Sequence, residues 1–368
     1  MRNQAQKDRQ YMQRALDLAY RAWGQTSPNP AVGAVVVRQG SVVGEGFHEK
    51  AGKPHAEVVA LGHAKSAAAG STLYVTLEPC CHVGRTPPCT DAISRAGVTR
   101  VVVGMRDPNP LVSGKGIRAL RKAGIRVSCG ILRRQAIRLN EAYVHFHSTG
   151  LPFVIVKWAM TLDGRTSTDK GESRWISNEL SRRYVHQLRS GVDAILVGAG
   201  TVARDNPRLS VRLKGRRVRQ PLRVILDDTL RIPITARCLD TRQGARVVLF
   251  TTQRASSRKI RALERRGHRV MVMHARRGRF PVRPLLRTLA QLGIQSLLIE
   301  GGREVCGTFF SSHAVQKVIV FIAPKIVGGR KTTSPIINWA IPRIRNALQL
   351  REIEIKTFHD DVCVEGYV

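Results

Sequence analysis

The sequence predicts an α/β protein of two domains, and three observations carry that prediction. The chain has 368 residues, beyond the roughly 250–300 over which one hydrophobic core keeps growing. Short apolar runs of strand type alternate with amphipathic runs of helix type along almost its whole length, the pattern of helices layered on a sheet. The alternation is interrupted once, at Gly150-Leu151-Pro152, and then restarts, so the expected domains are 1–150 and 151–368.

Met12, Ala15, Leu16, Ala19, Tyr20 and Trp23 recur at helical spacing and predict a helix over 8–23. Gly24 and the run Ser27-Pro28-Asn29-Pro30 end it. Strands follow at 34–38, 41–47, 72–77, 100–104 and 126–129, with helices between them at 56–68, 90–96 and 117–123. Residues 133–150 read as a connecting helix and turn. In the second half, strands are expected at 153–160, 193–198, 222–227, 246–251, 269–273, 296–300 and 317–323. Helices are expected at 178–189, 201–204, 257–266, 282–292 and 303–311. The tail REIEIKTFHDDVCVEGYV alternates like a pair of antiparallel edge strands. No internal repeat or low-complexity linker interrupts the series.

A composition of 43 % hydrophobic and 24 % charged residues excludes general disorder. No apolar run approaches the roughly 20 residues of a membrane helix, and the first twenty residues lack the apolar centre of an export signal. Seven cysteines are an odd number for a fully paired secreted scaffold. The expectation is a cytoplasmic protein without a membrane partner.

The net charge of +35 raises nucleic-acid binding at once. It is spread over both halves, +12 in 1–150 and +23 beyond, with +19 concentrated in 204–287. Arginine outnumbers lysine 47 to 14, yet only 19 residues are aromatic. A groove for single strands interleaves basic residues with stacking aromatics, whereas RASSRKIRALERRGHR at 254–269 has none. Most of the charge reads as decoration of exposed faces, and a few arginines suffice to hold a phosphorylated substrate or cofactor.

The strongest local signal is His55-Ala56-Glu57, followed by Glu78-Pro79-Cys80 and then Cys89. One His and two Cys form a three-ligand zinc set with the fourth position open, the pattern of a catalytic site. Glu57, two residues from His55, points elsewhere and is a poor co-ligand, but it can shuttle a proton of the attacking water. The order matches the zinc deaminase signature except in the spacing of the cysteines, which have eight residues between them rather than two. Cys81 and His82 can compete as ligands. Neighbours point apart, which favours Cys80 with Cys89.

Ser27-Pro28-Asn29-Pro30-Ala31-Val32-Gly33, Gly46-Phe47-His48, His55-Ala56-Glu57, TLEPCCHVGRTPPC, and Asp107-Pro108-Asn109-Pro110 with Val112-Ser113-Gly114-Lys115-Gly116 resemble the deaminase domain of the RibD family of bifunctional riboflavin-biosynthesis proteins. The resemblance implies a cytidine-deaminase-like three-layer αβα domain, zinc held by His55, Cys80 and Cys89, and Glu57 as proton shuttle. It also implies hydrolytic removal of an exocyclic amino group from a pyrimidine carrying a ribosyl 5′-phosphate.

The second half has no G-x-G-x-x-G after a strand. Two weaker phosphate-site candidates are Val197-Gly198-Ala199-Gly200-Thr201, where Thr201 is placed to cap the next helix, and Ile299-Glu300-Gly301-Gly302-Arg303. The succession Lys157 to Arg165, Gly171 to Ile176, Leu188-Arg189, Gly200-Thr201-Val202, Asp205-Asn206-Pro207 and Glu300-Gly301-Gly302 resembles the reductase domain of the same family. That domain is dihydrofolate-reductase-like in fold and uses NADPH. The resemblance implies that Ala159, Trp175, Thr201, Asp205 and the 302–308 loop, with Gly302, Arg303, Glu304 and Val305, face the cofactor. Ser173, Arg189, Leu209, Arg212 and Glu300 would face the substrate, the arginines suiting its phosphate, with Lys157 near the reacting sugar. The family usually has Ser after the Asp at position 227; here it is Asp228, an additional carboxylate near where an NADP phosphate would approach.

The leading expectation is therefore a zinc- and NADPH-dependent enzyme for two consecutive steps of riboflavin synthesis, acting on a phosphorylated pyrimidine. A homo-oligomer is expected from the resemblance alone, and nucleic acid is not expected as a partner despite the charge. Two other readings remain: a zinc deaminase acting on a nucleic-acid base, and a basic RNA-binding protein.

Overall fold

The computed structural model of the chain describes residues 2–82, 87–213, 218–242, 244–275, 280–330 and 333–368. Contacts divide it into two units, Met1–Leu151 and Pro152–Val368.

In the first unit the chain runs α1 (Arg2–Tyr20), β1 (Gly33–Arg38), β2 (Ser41–Phe47), α2 (Ala56–Ala64), β3 (Thr72–Leu77), α3 (Cys89–Arg95), β4 (Arg100–Met105), α4 (Lys115–Lys122), β5 (Arg126–Cys129), α5 (Arg133–Leu139) and α6 (Glu141–Thr149). The sheet order is β2-β1-β3-β4-β5, antiparallel through the first three strands and parallel through the last three. Strand alternation places the helices. A Cβ on Gly33 would stand 2.0 Å from the Ala15 carbonyl oxygen, so α1 lies against that face. Gly44 and Gly46 pair with Val36 and Ala34, which point the other way, and a Cβ on either would strike the backbone of α2. With α5 packed on α1, and α3 on α2 and α4, the unit is three layers, αβα. Val35, Val36, Val75, Val101, Val102 and Val103 are fully buried between them.

Three elements of the first unit differ from the periodicity; the first is the helix expected over 8–23, which spans Arg2–Tyr20. The helix expected over 56–68 ends at Ala64, where Lys65 turns to φ 49°, and continues as a 3₁₀ turn over Lys65–Ala68. The single helix expected within 133–150 is two, broken at Asn140 (φ −117°, ψ 29°), because the Asn140 side chain is drawn into a pairing with distant backbone.

The second unit continues β6 (Phe153–Thr161), α7 (Glu179–Ser190), β7 (Ala194–Gly198), α8 (Ala199–Asp205), β8 (Leu222–Leu226), β9 (Val247–Thr251), α9 (Ser257–Glu264), β10 (Arg269–Val272), α10 (Val282–Gln291), β11 (Ser296–Ile299), α11 (Arg303–Ser311), β12 (Lys317–Ala323), β13 (Arg351–Phe358) and β14 (Asp361–Tyr367). Its nine strands are ordered β10-β9-β8-β7-β11-β6-β12-β14-β13, parallel from β10 to β12. The tail is antiparallel as its alternation predicts, but only β13 is an edge, since β14 inserts between it and β12. In a largely parallel sheet ligands gather beyond the carboxyl ends of the strands. Here the turns after β7, β8 and β11 lie there side by side.

Candidate active sites

At the end of β3 in the first unit, Glu78 is 3 % exposed and its carboxylate accepts three backbone N–H groups. Asp107 and Gly114 donate to Oε2 (3.2 and 2.9 Å) and Ile117 to Oε1 (3.1 Å). These bonds fasten the 107–117 segment and the start of α4 beneath Cys80. Gly116 is required there, because a Cβ would lie 2.1 Å from the Pro79 carbonyl oxygen.

His55 precedes α2 in extended conformation and Cys89 opens α3. The His55 Nδ1 lies 3.2 Å from Cys89 Sγ and 3.6 Å from Cys80 Sγ, and the Cys89 N–H points at Cys80 Sγ (3.4 Å). Among the described residues these three form a group whose donor atoms all fall within 4.8 Å of one another. One imidazole and two thiols at this separation fit a zinc ion with a fourth position open. Neither Cys81 nor His82 belongs to the group. Hydrogen bonding between the sulfurs holds the Cys80 thiol well below its ordinary value and, with burial, pushes Cys89 up. Glu57, in the first turn of α2, is 3 % exposed, contacts Cys89 and has its carboxyl raised by burial.

His48 stands edge-on to His55, ring centroids 5.3 Å apart. Its Nδ1–H donates to the Pro54 carbonyl (3.0 Å) and its Nε2 accepts from the Asn29 amide (3.0 Å), while burial lowers its tendency to protonate. The ring is therefore neutral with both nitrogens engaged.

In the second unit every residue expected singly at the reductase site, and all of the 302–308 stretch except Gly307, lines one cleft of about 1000 Å³. Lys157 and Ala159 come from β6, Ser173 and Trp175 from the segment before α7, and Arg189 from α7. Thr201 and Asp205 lie on α8, Leu209 and Arg212 follow it, and Glu300, Gly302, Arg303, Glu304 and Val305 follow β11. Ser173 donates to Asp205 Oδ1 (3.0 Å), and the Arg182 guanidinium stacks 4.5 Å above Trp175. Thr201 is not a cap: α8 starts at Ala199 with Gly198 as its N-cap, so Thr201 is in the first turn, facing Gly301 and Gly302. The 302–308 stretch is helix rather than loop beyond Gly302, the N-cap of α11. Gly301 and Gly302 adopt φ +97° and +88°, and a Cβ on Gly302 would crowd Val305. This bare backbone at a helix start, among arginines, fits the phosphates of a dinucleotide.

Glu300 and Arg189 form a bidentate pair, Nε to Oε1 at 2.5 Å and Nη2 to Oε2 at 2.9 Å, with Arg189 also donating to the Ser210 carbonyl (3.1 Å). Lys157 Nζ is 3.7 Å from Glu300 Oε2. Burial pushes the Glu300 carboxyl up, but the charges of Arg189 and Lys157 outweigh it and bring it down to about 2. Three of the five Arg189 N–H donors are thus committed inside the protein. Arg212 is less engaged. Burial and neighbouring Arg189, Arg208 and Arg237 lower it from its ordinary value, a crowding of cations that an anion relieves.

Residues 152–364 match the model of the RibD C-terminal domain, and residues 5–105 that of the cytidine and deoxycytidylate deaminase zinc-binding region. The riboflavin biosynthesis protein RibD of Aquifex aeolicus is 43 % identical over 357 residues, 97 % of each chain. The chain belongs to the RibD family. Among solved structures, RibD of Acinetobacter baumannii superposes with a TM-score of 0.89 at 37 % identity over 99 % of both chains. A Thermotoga maritima protein described as a diaminohydroxyphosphoribosylaminopyrimidine deaminase/5-amino-6-(5-phosphoribosylamino)uracil reductase does so at 0.87 and 35 %, again over 99 % of both. RibD proteins are zinc-dependent deaminases and NADPH-dependent reductases of riboflavin biosynthesis.

Several residues around both sites of this RibD chain escaped the sequence reading. Asn29, His48 and Asp107 stood in recognised motifs without an assigned part. Asp107, pushed up to about 6 by burial, accepts from the Asn109 N–H (2.8 Å) and the Tyr143 hydroxyl (3.0 Å). Tyr143 and Asn140 carry no motif. His186 lines the reductase cleft against Arg212 (3.2 Å). The one available signal was polar residues on apolar helix faces, as at Asn140, 5 % exposed.

Proposed function

We propose that the first unit deaminates 2,5-diamino-6-ribosylamino-4(3H)-pyrimidinone 5′-phosphate, and that the second reduces the ribosyl chain of the product to ribityl, giving 5-amino-6-ribitylamino-uracil 5′-phosphate. The observation that carries this is the His55–Cys80–Cys89 triangle with buried Glu57 beside it, on a chain that also holds the glycine-floored cleft.

Zinc held by His55, Cys80 and Cys89 supplies the Lewis acidity that makes water nucleophilic near neutral pH. Glu57 takes a proton from the attacking water and returns it to the substrate as ammonia leaves. Neutral His48, turned by Pro54 and Asn29, forms the wall beside His55. In the second unit NADPH supplies the hydride. Trp175, Thr201, Asp205 and the Gly302–Val305 turn hold the cofactor, while Ser173, Leu209 and Arg212 hold the substrate. Arg212 takes the phosphate. Arg189 works mainly by orienting Glu300, and Lys157, paired with the same carboxylate at 3.7 Å, hands a proton to the sugar as it is reduced.

The test is Glu57→Ala with metal content measured alongside. The variant should keep its zinc and lose deamination by about 100-fold or more; a wild-type rate would sink the assignment. For the second unit, wild-type protein should oxidise NADPH when given the deaminated product.

The same reading makes the chain a cytoplasmic homo-oligomer. Ile353 and Ile355, 59 % and 66 % exposed on the edge strand β13, support self-association, and the described cysteines are free, as in a reducing compartment. No helix among the described residues is long and apolar enough to cross a membrane. The exposed arginines of α9 have no aromatic among them, which favours a solvated face over a nucleic-acid site.

A further inference from the structure

We infer that Asp228 weakens this chain's discrimination for a phosphate on the 2′-oxygen of the cofactor's adenosine ribose, by occupying the arginine, Arg254, that would otherwise receive it. The inference rests on the NADPH reading of the reductase cleft. The glycine turns follow β11 and β7, and β8 is the next strand across the sheet. A dinucleotide whose pyrophosphate lies on those turns extends its adenosine toward a neighbouring strand end, where an acidic side chain accepts from the ribose hydroxyls and an arginine receives a 2′-phosphate.

Two aspartates follow β8, and they are used differently. Asp227 is 1 % exposed and turns inward, accepting the Ile232 N–H (2.9 Å). Asp228 lines the cleft, as do Leu226 and Leu285, an apolar surface suited to an adenine ring. Its carbonyl accepts from the Thr251 hydroxyl (3.1 Å), the Thr252 hydroxyl (2.8 Å) and the Thr252 N–H (3.2 Å), so the end of β9 fixes its backbone. Its carboxylate, 31 % exposed, lies 3.6 Å from Nη1 of Arg254, which is 70 % exposed and stands outside the residues lining the cleft, so its side chain reaches the cleft only past Asp228. A carboxylate here attracts a ribose diol and repels a phosphate dianion. It also neutralises the cation that would bind that dianion.

The probes are AMP and adenosine 2′,5′-bisphosphate, titrated calorimetrically into the full chain alongside NADPH. Wild-type protein should bind the two fragments with similar affinity. Asp228→Asn should tighten the bisphosphate by about tenfold and leave AMP within about twofold, the size expected for releasing one charge-assisted contact. Arg254→Gln added to Asp228→Asn should erase the gain. If NADPH binds but Asp228→Asn leaves the ratio of the two fragments where it was, the inference is overturned and the cofactor cleft stands. If neither NADPH nor a fragment binds the wild type, the cleft assignment falls and takes the inference with it.

Discussion

Asn140 holds the backbone of Ala31 at both ends of its amide: the Ala31 N–H donates to Oδ1 at 2.8 Å, and Nδ2 donates to the Ala31 carbonyl at 2.9 Å. The two residues are 109 positions apart, and each is at most 5 % exposed. The bridge interrupts a helix and ties the loop carrying Asn29, the partner of His48, to the end of the first unit.

Asn140→Ala should therefore cost about 3 kcal/mol of stability, because two buried backbone groups lose their partners without gaining water. Denaturant unfolding of the wild type and variant at neutral pH measures it. A change below about 0.5 kcal/mol would mean that solvent reaches Ala31.

The three-ligand site predicts about one zinc per chain. Stripping it with a chelator, or replacing Cys89 by Ser, should abolish deamination. NADPH oxidation on the deaminated product should continue, because its residues all lie in the second unit. Parallel loss of both activities would contradict separate chemistry.

Glu300 predicts an acid-sensitive contribution to stability. Its carboxyl titrates near 2 when folded, against an ordinary value of 4.5. The stabilisation is therefore complete above pH 4.5 and disappears as the pH falls toward 2, amounting to about 3 kcal/mol for a side chain 6 % exposed. Glu300→Gln should be less stable than wild type at pH 7, and the gap should close steadily below pH 4.5. A gap independent of pH would show that packing, rather than charge, dominates there.

Gly302→Ala places a side chain at φ +88° with its Cβ 3.2 Å from Val305. The strain, about 1–3 kcal/mol, falls on the turn assigned to the cofactor. NADPH affinity measured by fluorescence should drop by about tenfold or more, with deamination unchanged. Unaltered affinity would remove this turn from the cofactor site.

Much of this was legible in the residues. The zinc set could be read because its members sit where strands become helices, in an order that few other chemistries use. The reductase residues were placed by resemblance, and one cleft gathers them. The break at Asn140, the carboxylate of Glu78 under Cys80, and the commitment of Arg189 to Glu300 were not legible. Each depends on a side chain meeting atoms tens of positions away, and such contacts leave no periodicity. Thr201 was expected as the cap three residues past the true one, because Gly198 adopts the extended geometry of an N-cap without a side chain to announce it.

Alone, the sequence indicated most of the strands and helices in their order, the two-part division of the chain, and His55, Cys80 and Cys89 as the candidate metal ligands. Local periodicity and residue chemistry carry that information directly. Tertiary structure decided which of many polar residues are spent inside the protein and which face a ligand. Arg189 is held by Glu300, Asp227 is turned inward and Asp228 is left at the cleft. That division depends on burial and on partners distant in sequence, so it exists only once the sheet has brought the strand ends together.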